Sequence, residues 1–382
     1  MSYTHCKLTQ ATQYSILAAL FMVPLSSAAM NVFIGIAMLL WLVLLVTRKI
    51  TLPCGLVPFS CALLFVVFAL GIIYSDASWQ EISATMKKTL RFLLIPMVIS
   101  MFSESQWRRR ALMAFLSSMT LMFIVLISTR YSLKDHIFTS LFLACSSFVT
   151  AHLALQYHKI PTIKYLLIII SLILIWFLLV VNIGRSGQVL FFLLAGLFCW
   201  QRCSNIKQKV LGITALLLVL AAASYLPTAM QQRLQKVQQH ASAYLTENTT
   251  KTMRTSTGTR LEFAKNTWKI FLEQPFIGWG TGSFKAQYAI STSTQGVSNP
   301  HNQYLLHMLQ LGSVGLLTLL LLFASILKAS VKLPNMERWC CQGLVLAIAA
   351  GCMANSWLHD ITSAHFFFIG VGVCLGTCAK HK

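Results

Sequence analysis

The chain is dominated by apolar runs that each approach the length needed to cross a bilayer. About 20 helical residues span roughly 30 Å of hydrocarbon. Runs of that order recur at 13–28, 30–47, 55–74, 89–103, 110–129, 137–157, 164–182, 186–201, 209–226, 303–328, 339–356 and 361–379. Inside lipid the backbone must satisfy its own N–H and C=O groups, and a continuous apolar run of this length does so as a helix. Only 10% of the 382 residues are charged and 57% are hydrophobic, which excludes the water-soluble classes. The expectation is an all-α polytopic membrane protein of about twelve transmembrane helices. Residues 1–226 would carry helices one to nine and 303–382 helices ten to twelve. Residues 227–302 are the one stretch long enough to fold outside the bilayer.

Basic residues test that count, because short cytoplasmic connections collect Lys and Arg. With the N-terminus inside, 16 of the 30 Lys and Arg fall on one side, among them Arg48, Arg108 to Arg110, Lys159, Arg202 and Lys332. The short connections on the other side hold six: Lys87, Lys88, Arg91, Arg130, Lys134 and Arg185. Both termini are therefore expected in the cytoplasm. The first run is interrupted by Pro24, so a cleaved signal peptide competes with a first helix there; no convincing cleavage site precedes the second run. The 11 cysteines fall mostly in or beside apolar runs, as small hydrophobes do, and no His/Cys spacing suggests a metal. No metal, cofactor or nucleic-acid partner is expected.

The segment 227–302 holds eight basic and three acidic residues, so its face is suited to an anion. Met230 to Leu245 has apolar residues at helical spacing and reads as an amphipathic surface helix; Asn248 to Thr259 reads as a flexible link. Thr259-Arg260-Leu261-Glu262 fits a capping box, with Thr259 as N-cap. Arg260 would then sit beside free N–H groups at the positive end of a helix, either as an anion ligand or simply paired with Glu262. Leu261, Ala264, Trp268 and Phe271 form one stripe of that helix. Gly278-Trp279-Gly280-Thr281-Gly282 has no preceding strand, so a tight turn permitting close backbone approach fits better than a nucleotide loop.

Asn299-Pro300 looks like an N-cap followed by a first helical residue, which places His301 in the first turn of the tenth membrane helix. A helix N-terminus disfavours imidazolium, leaving a neutral ring able to act as a general base. The competing reading is an interfacial histidine that only anchors to headgroups. Asn302 and Gln303 beside it offer side-chain hydrogen bonds to a polar ligand. Arg185 lies in a connection of a few residues on the same outer side, where an unpartnered guanidinium is costly and a phosphate would satisfy it. Asp360, after His359, would either pair with a cation or orient His301.

These residues carry a resemblance. Arg185 after a span, Gly258-Thr259-Arg260 with Trp268, Pro275 with Gly278, Gly280 and Gly282, and Pro300-His301-Asn302 with Gly312 are similar to the O-antigen ligase and polymerase superfamily. Its members are multi-span inner-membrane glycosyltransferases of the GT-C kind. The resemblance implies an inverting, metal-independent transfer at the periplasmic face from a polysaccharide on undecaprenyl pyrophosphate. It implies that Arg185 and Arg260 bind the leaving pyrophosphate, that His301 is the base, and that Asn302 and Asp360 support the site. A ligase acting on lipid A–core fits better than a polymerase, because Arg185 lies in a minimal turn rather than in a second large loop. The short tail after the last run argues against the protein-glycosylating branch. A lipid or anion transporter would instead need charges inside several spans or broken repeats, and the spans are nearly charge-free.

Overall fold

The computed structural model describes residues 3–129, 133–182, 184–225 and 256–377. All regular structure among them is helical. The first part contains α1 (Tyr3–Met22), α2 (Ser27–Val46), α3 (Leu56–Leu70), α4 (Trp79–Thr89), α5 (Leu94–Met101) and α6 (Ser105–Thr129). It continues with α7 (His136–Gln156), α8 (Pro161–Trp176), α9 (Arg185–Arg202) and α10 (Ile206–Tyr225). Next come α11 (Ser256–Glu273), α12 (Phe284–Thr292), α13 (Gln303–Ser330), α14 (Asn335–Ala354) and α15 (Ile361–Leu375). A 3-10 turn, Leu90–Leu93, joins α4 to α5, and a π turn, Phe177–Val181, extends α8.

Among the described residues, five helices are long and apolar enough to cross a membrane: α2, α6, α7, α8 with its π turn, and α13. The shorter α3 and α15 are apolar too. This is the build of a multi-pass membrane protein. Its interior is one large apolar cluster fed by α1 to α9 and α13 to α15, with α7 and α15 buried along most of their length. Many side chains facing away from it are exposed Leu, Ile and Val, as on α2 and α8, a surface suited to lipid.

Two expected spans have different bounds. The first helix starts at Tyr3, not near residue 13, and stops at Met22 before Pro24, which has no N–H to continue the ladder. Ser26 then caps α2 by accepting the Ala29 N–H at 3.3 Å. Polar Thr12 and Gln13 are buried in α1, and Gln13 Nε2 donates to Met101 O at 2.7 Å. Ile16, Ala19 and Leu20 join the main core, so this segment is a packed element. The fourth run, 89–103, is α4's last residue, a 3-10 turn and a short α5 rather than one helix. Pro96 in α5 cannot bond the Phe92 carbonyl, which weakens a continuous helix there.

The amphipathic helix expected over 230–245 lies outside the described residues. So does most of the link expected at 248–259, but 256–259 are helical, within α11 (Ser256–Glu273). Thr259 is therefore not the N-cap, and Arg260 stands inside the helix instead of at its first position. Gly258 is buried, so the added turn is packed, and that packing outweighs the local capping signal. Glu262 accepts from Asn266 Nδ2 at 2.8 Å, one turn onward along the helix.

The glycine loop does what the turn reading requires. Gly278, Gly280 and Gly282 all have positive φ. A Cβ on Gly278 would lie 2.5 Å from Gly312 N, and one on Gly280 2.5 Å from Ser75 Cα. That closeness serves a break in α13, where Gly312 adopts φ 63°, ψ −158°. The interruption frees backbone groups that lipid cannot satisfy. Trp279 N donates to Leu309 O at 3.0 Å and Gly280 N to Gln310 O at 2.7 Å, while Ser313 N donates to Pro275 O at 2.8 Å. The loop thus repairs the helix it leans on.

Candidate functional site

Side-chain contacts between helix termini define two ends of the bundle. His301 Nδ1 meets Asn355 just past the end of α14, and Arg91 meets the His359 carbonyl just before α15. Lys134, before α7, contacts Ser27 at the start of α2 and Thr362 at the start of α15. Gly184 and Gly187, at the start of α9, are so close to α7 that an added Cβ on either would strike Ser140. At the other end, Arg108 of α6 pairs with Glu337 of α14 at 3.3 Å. The elements carrying Arg185, Arg260, His301, Asn302 and Asp360 therefore share one end.

His301 is not in the first helical turn. α13 begins at Gln303, and its N-cap is Asn302, whose side chain accepts the Leu305 N–H at 3.1 Å. His301 precedes that cap with φ 53°, a left-handed conformation that costs a non-glycine residue roughly 1–3 kcal/mol. Asn299 holds it there: its Oδ1 accepts the His301 N–H at 2.9 Å, closing a turn around Pro300. The same oxygen accepts from Ser356 Oγ at 2.7 Å. Asn302 Nδ2 donates to Met353 O at 3.1 Å and Gln303 Oε1 accepts the Leu358 N–H at 3.2 Å. Residues 299–303 are thus laced to 353–358, and a strained, fixed backbone aims the imidazole.

The ring has its own partner. His301 Nδ1 lies 3.1 Å from Asn355 Oδ1, an oxygen identified as such by accepting the Ser356 N–H at 2.9 Å. An acceptor at that place requires Nδ1 to carry the hydrogen, so in the neutral ring the lone pair is on Nε2. The other face of the contact is aromatic: the Phe263 ring lies nearly parallel to His301 at 6.1 Å between centroids, 13° between planes. Phe263 is three residues after Arg260, so α11 carries the two on one side, and the ring of Phe263 is the one set against His301. α11 is fixed by a small second core of Ile270, Phe284, Tyr288, Leu306 and Leu309, against which Phe263 and Trp279 pack.

The buried side of α11 is Phe263, Thr267, Ile270 and Phe271; Leu261 and Trp268 are 38% and 47% exposed. The stripe expected through Trp268 is thus only partly the packed one. Arg260 is exposed. Arg185 is the first residue of α9, after the cap position Gly184, whose N–H is held by Asn182 Oδ1 at 2.7 Å. That places the Arg185 backbone at a helix N-terminus, where an anion is favoured.

Asp360 does not orient His301. Its Oδ1 caps α15, accepting Thr362 N at 2.7 Å and Ser363 N at 3.2 Å. The residue that orients the ring is Asn355, which sequence reasoning placed inside an apolar span. The available signal was Asn355-Ser356, a polar pair at the end of an otherwise apolar run.

A family model described as O-Antigen ligase matches residues 170–320, a stretch holding Arg185, Arg260, the glycine loop and His301 but not Asn355 or Asp360. No curated protein matches the chain.

Proposed function

We propose, for a chain whose residues 170–320 match a family model described as O-Antigen ligase, the activity of an O-antigen ligase. It moves a polysaccharide from undecaprenyl pyrophosphate to a sugar hydroxyl of lipid A–core at the periplasmic face of the bacterial inner membrane. About twelve spans with both termini in the cytoplasm agree with the charge distribution, since the end opposite His301 carries Arg108, Arg109, Arg110, Arg202 and Lys332. Residues 227–302 then form the periplasmic subdomain between the ninth and tenth membrane spans, that is, between α10 and α13.

In this reading the acceptor hydroxyl gives its proton to His301 Nε2 while its oxygen attacks the anomeric carbon of the donor. The bond from that carbon to the pyrophosphate breaks, and undecaprenyl pyrophosphate leaves with the electron pair. Attack from the opposite face inverts the configuration. Arg185 and Arg260 supply the positive charge that the departing phosphate needs, a role otherwise given to a metal ion. Asn302 and Asp360 act through the frame, as caps of α13 and α15.

The observation that carries this reading is the His301–Asn355 contact, which leaves Nε2 as the basic nitrogen beside the helix bearing Arg260. A general base contributes about 10²–10⁴-fold, so His301→Ala should abolish detectable transfer in a protein that still inserts. Lipopolysaccharide from a deletion strain, run on a gel, tests the acceptor. Rough core with accumulated lipid-linked polymer supports a ligase, whereas core bearing one repeat unit identifies a polymerase. Wild-type amounts of capped lipopolysaccharide from a His301→Ala strain would remove the base assignment.

A further inference from the structure

A cavity of about 640 Å³ opens at the end of the bundle away from His301, among α6, α7, α14 and α15. Its rim is polar, and Ser105, Gln106, Arg109 and Gln156 there are exposed. Its depths are apolar: Phe115, Phe148, Leu194, Phe366 and Val373 are buried around it, beside the Cys145 and Cys374 thiols. From Gln156 at the rim to Cys145 is eleven residues of α7, about 16 Å of helix at 1.5 Å per residue. The gap exists because α6 is braced on α1 rather than on α7. Trp107 meets Tyr14 edge-on at 5.0 Å, and Arg110 Nη1 reaches Tyr14 Oη at 3.5 Å. Protein interiors are close-packed, and an apolar space of this size between helices is the usual form of a ligand site. None of the described residues of α11, α13 or the 355–360 connection lines it, so it is separate from the site around His301.

The charges at the rim are unequal. Arg108 is committed: its Nε donates to Glu337 Oε1 at 3.3 Å, and its Nη1 to Phe102 O at 3.1 Å and Ser103 O at 2.7 Å. Arg109 has only a neutral partner of this kind, donating from Nη2 to Tyr157 Oη at 3.3 Å, across the rim from α6 to the end of α7. The ion pairs among the described residues are Arg108–Glu337, His136–Asp135 and Lys285–Glu81, and none includes Arg109. A second cavity, of about 380 Å³, shares Gln156, Met336 and Glu337 with the first and has Arg202 on its wall. Arg202 too rests on neutral groups, 3.9 Å over the Trp339 ring and 3.0 Å from His152 Nδ1. Counting the chain neighbours Arg110, Arg338 and Glu104, the rim has five arginines, the others being Arg108, Arg109 and Arg202, against Glu104 and Glu337. The remaining described acids, Asp76, Glu81, Asp135, Glu262, Glu273 and Asp360, belong to elements at the His301 end. A free phosphate would answer the arginines and leave the apolar space unfilled, while an uncharged lipid would do the opposite. An anionic lipid answers both, as basic pockets between membrane helices do for acidic headgroups.

We propose that this cavity holds an acyl chain of an anionic phospholipid from the surrounding bilayer, with the headgroup phosphate on Arg109. The chain fills the space between α6 and α7, and the headgroup ties the two helices at the rim. Its headgroup lies at the end away from His301, so it is a different lipid from the one that would carry the transferred sugar. The site does not depend on the ligase reading.

The test uses the full chain, delipidated in detergent, with phosphatidylglycerol and phosphatidylethanolamine of identical acyl chains as probes. Native mass spectrometry reads the bound lipid and thermal shift reads the stabilisation. Phosphatidylglycerol should bind about tenfold more tightly, because its phosphate has no ammonium beside it to oppose the arginines. Arg109→Gln should remove that preference and leave the weaker binding of both lipids. Val149→Phe, which fills the apolar part, should weaken both lipids while the lipid-free melting temperature holds or rises, an outcome that misfolding cannot imitate. His301→Ala should bind phosphatidylglycerol as the wild type does. Equal affinity for the two lipids in the wild type, or unchanged phosphatidylglycerol binding in both Arg109→Gln and Val149→Phe, overturns the site. Glycerol phosphate, which has the headgroup and no chains, should not compete; competition by it would assign the arginines to a soluble anion and overturn the lipid.

Discussion

Asn355 Oδ1 sits 3.1 Å from His301 Nδ1 while accepting the Ser356 N–H at 2.9 Å, so one amide oxygen fixes both the chain after α14 and the tautomer of the imidazole. An orienting hydrogen bond of this kind is worth about 1–1.5 kcal/mol, roughly tenfold in rate. Asn355→Leu should therefore lower kcat about tenfold with little change in KM. Asn355→Asp should keep the geometry but place a carboxylate beside the ring, which favours imidazolium and moves the acid limb of the pH–rate profile to higher pH. Full activity in Asn355→Leu together with an unmoved profile in Asn355→Asp would show that the ring is set by something else.

The sequence made the class of fold plain because lipid leaves apolar runs few alternatives, and it brought His301 and Arg260 forward because polar residues are rare in such a chain. It mislaid them by a few residues. Asn299-Pro300 and Thr259–Glu262 are both valid local cap signals, but each was overruled by packing. The Asn299 side chain turned back onto the His301 N–H, and the buried Gly258 extended α11 by a turn. Asn355 was hidden for a different reason. Its role depends on a residue 54 positions away, and nothing local marks an amide at a helix end as a ring partner.

Gly312 should not tolerate a side chain. Its φ of 63° with ψ −158° is a region open essentially to glycine, and a Cβ would run into the Phe276 carbonyl and lie 2.5 Å from Ile277 N. Gly312→Ala should cost more than about 1 kcal/mol and disturb the loop that repairs the α13 break. A lower melting temperature in detergent and reduced membrane yield are the expected readouts. Wild-type melting behaviour would mean that the break can close into a regular helix.

Gly351 and Trp357 depend on each other. Trp357 is 1% exposed, and a Cβ on Gly351 would lie inside its indole. The indole anchors the 355–360 connection, which carries both Asn355 and Asp360. Gly351→Ala should therefore expel the ring, lowering both the melting temperature and transfer, because the connection no longer presents Asn355 to His301. Trp357→Phe, smaller and of similar shape, should restore part of the loss when combined with Gly351→Ala. If the double variant is no better than Gly351→Ala alone, steric conflict with the indole is not the cause.

His359 makes stability depend on pH in a defined direction. Burial, with the charges of Lys88 and Arg91 nearby, holds its imidazole well below the usual histidine range. An exposed histidine in the unfolded chain titrates near about 6.5. Between these two values the unfolded chain binds a proton that the folded protein does not, so stability rises with pH across the window. Its contribution is fully present above about pH 6.5 and is lost as the pH falls towards the lower folded value. The melting temperature in detergent should accordingly drop between pH 7.5 and pH 5.5, which bracket that histidine range. His359→Gln, which cannot titrate, should show a shallower decline over the same interval. Equal slopes for wild type and variant would place the sensitivity in another group.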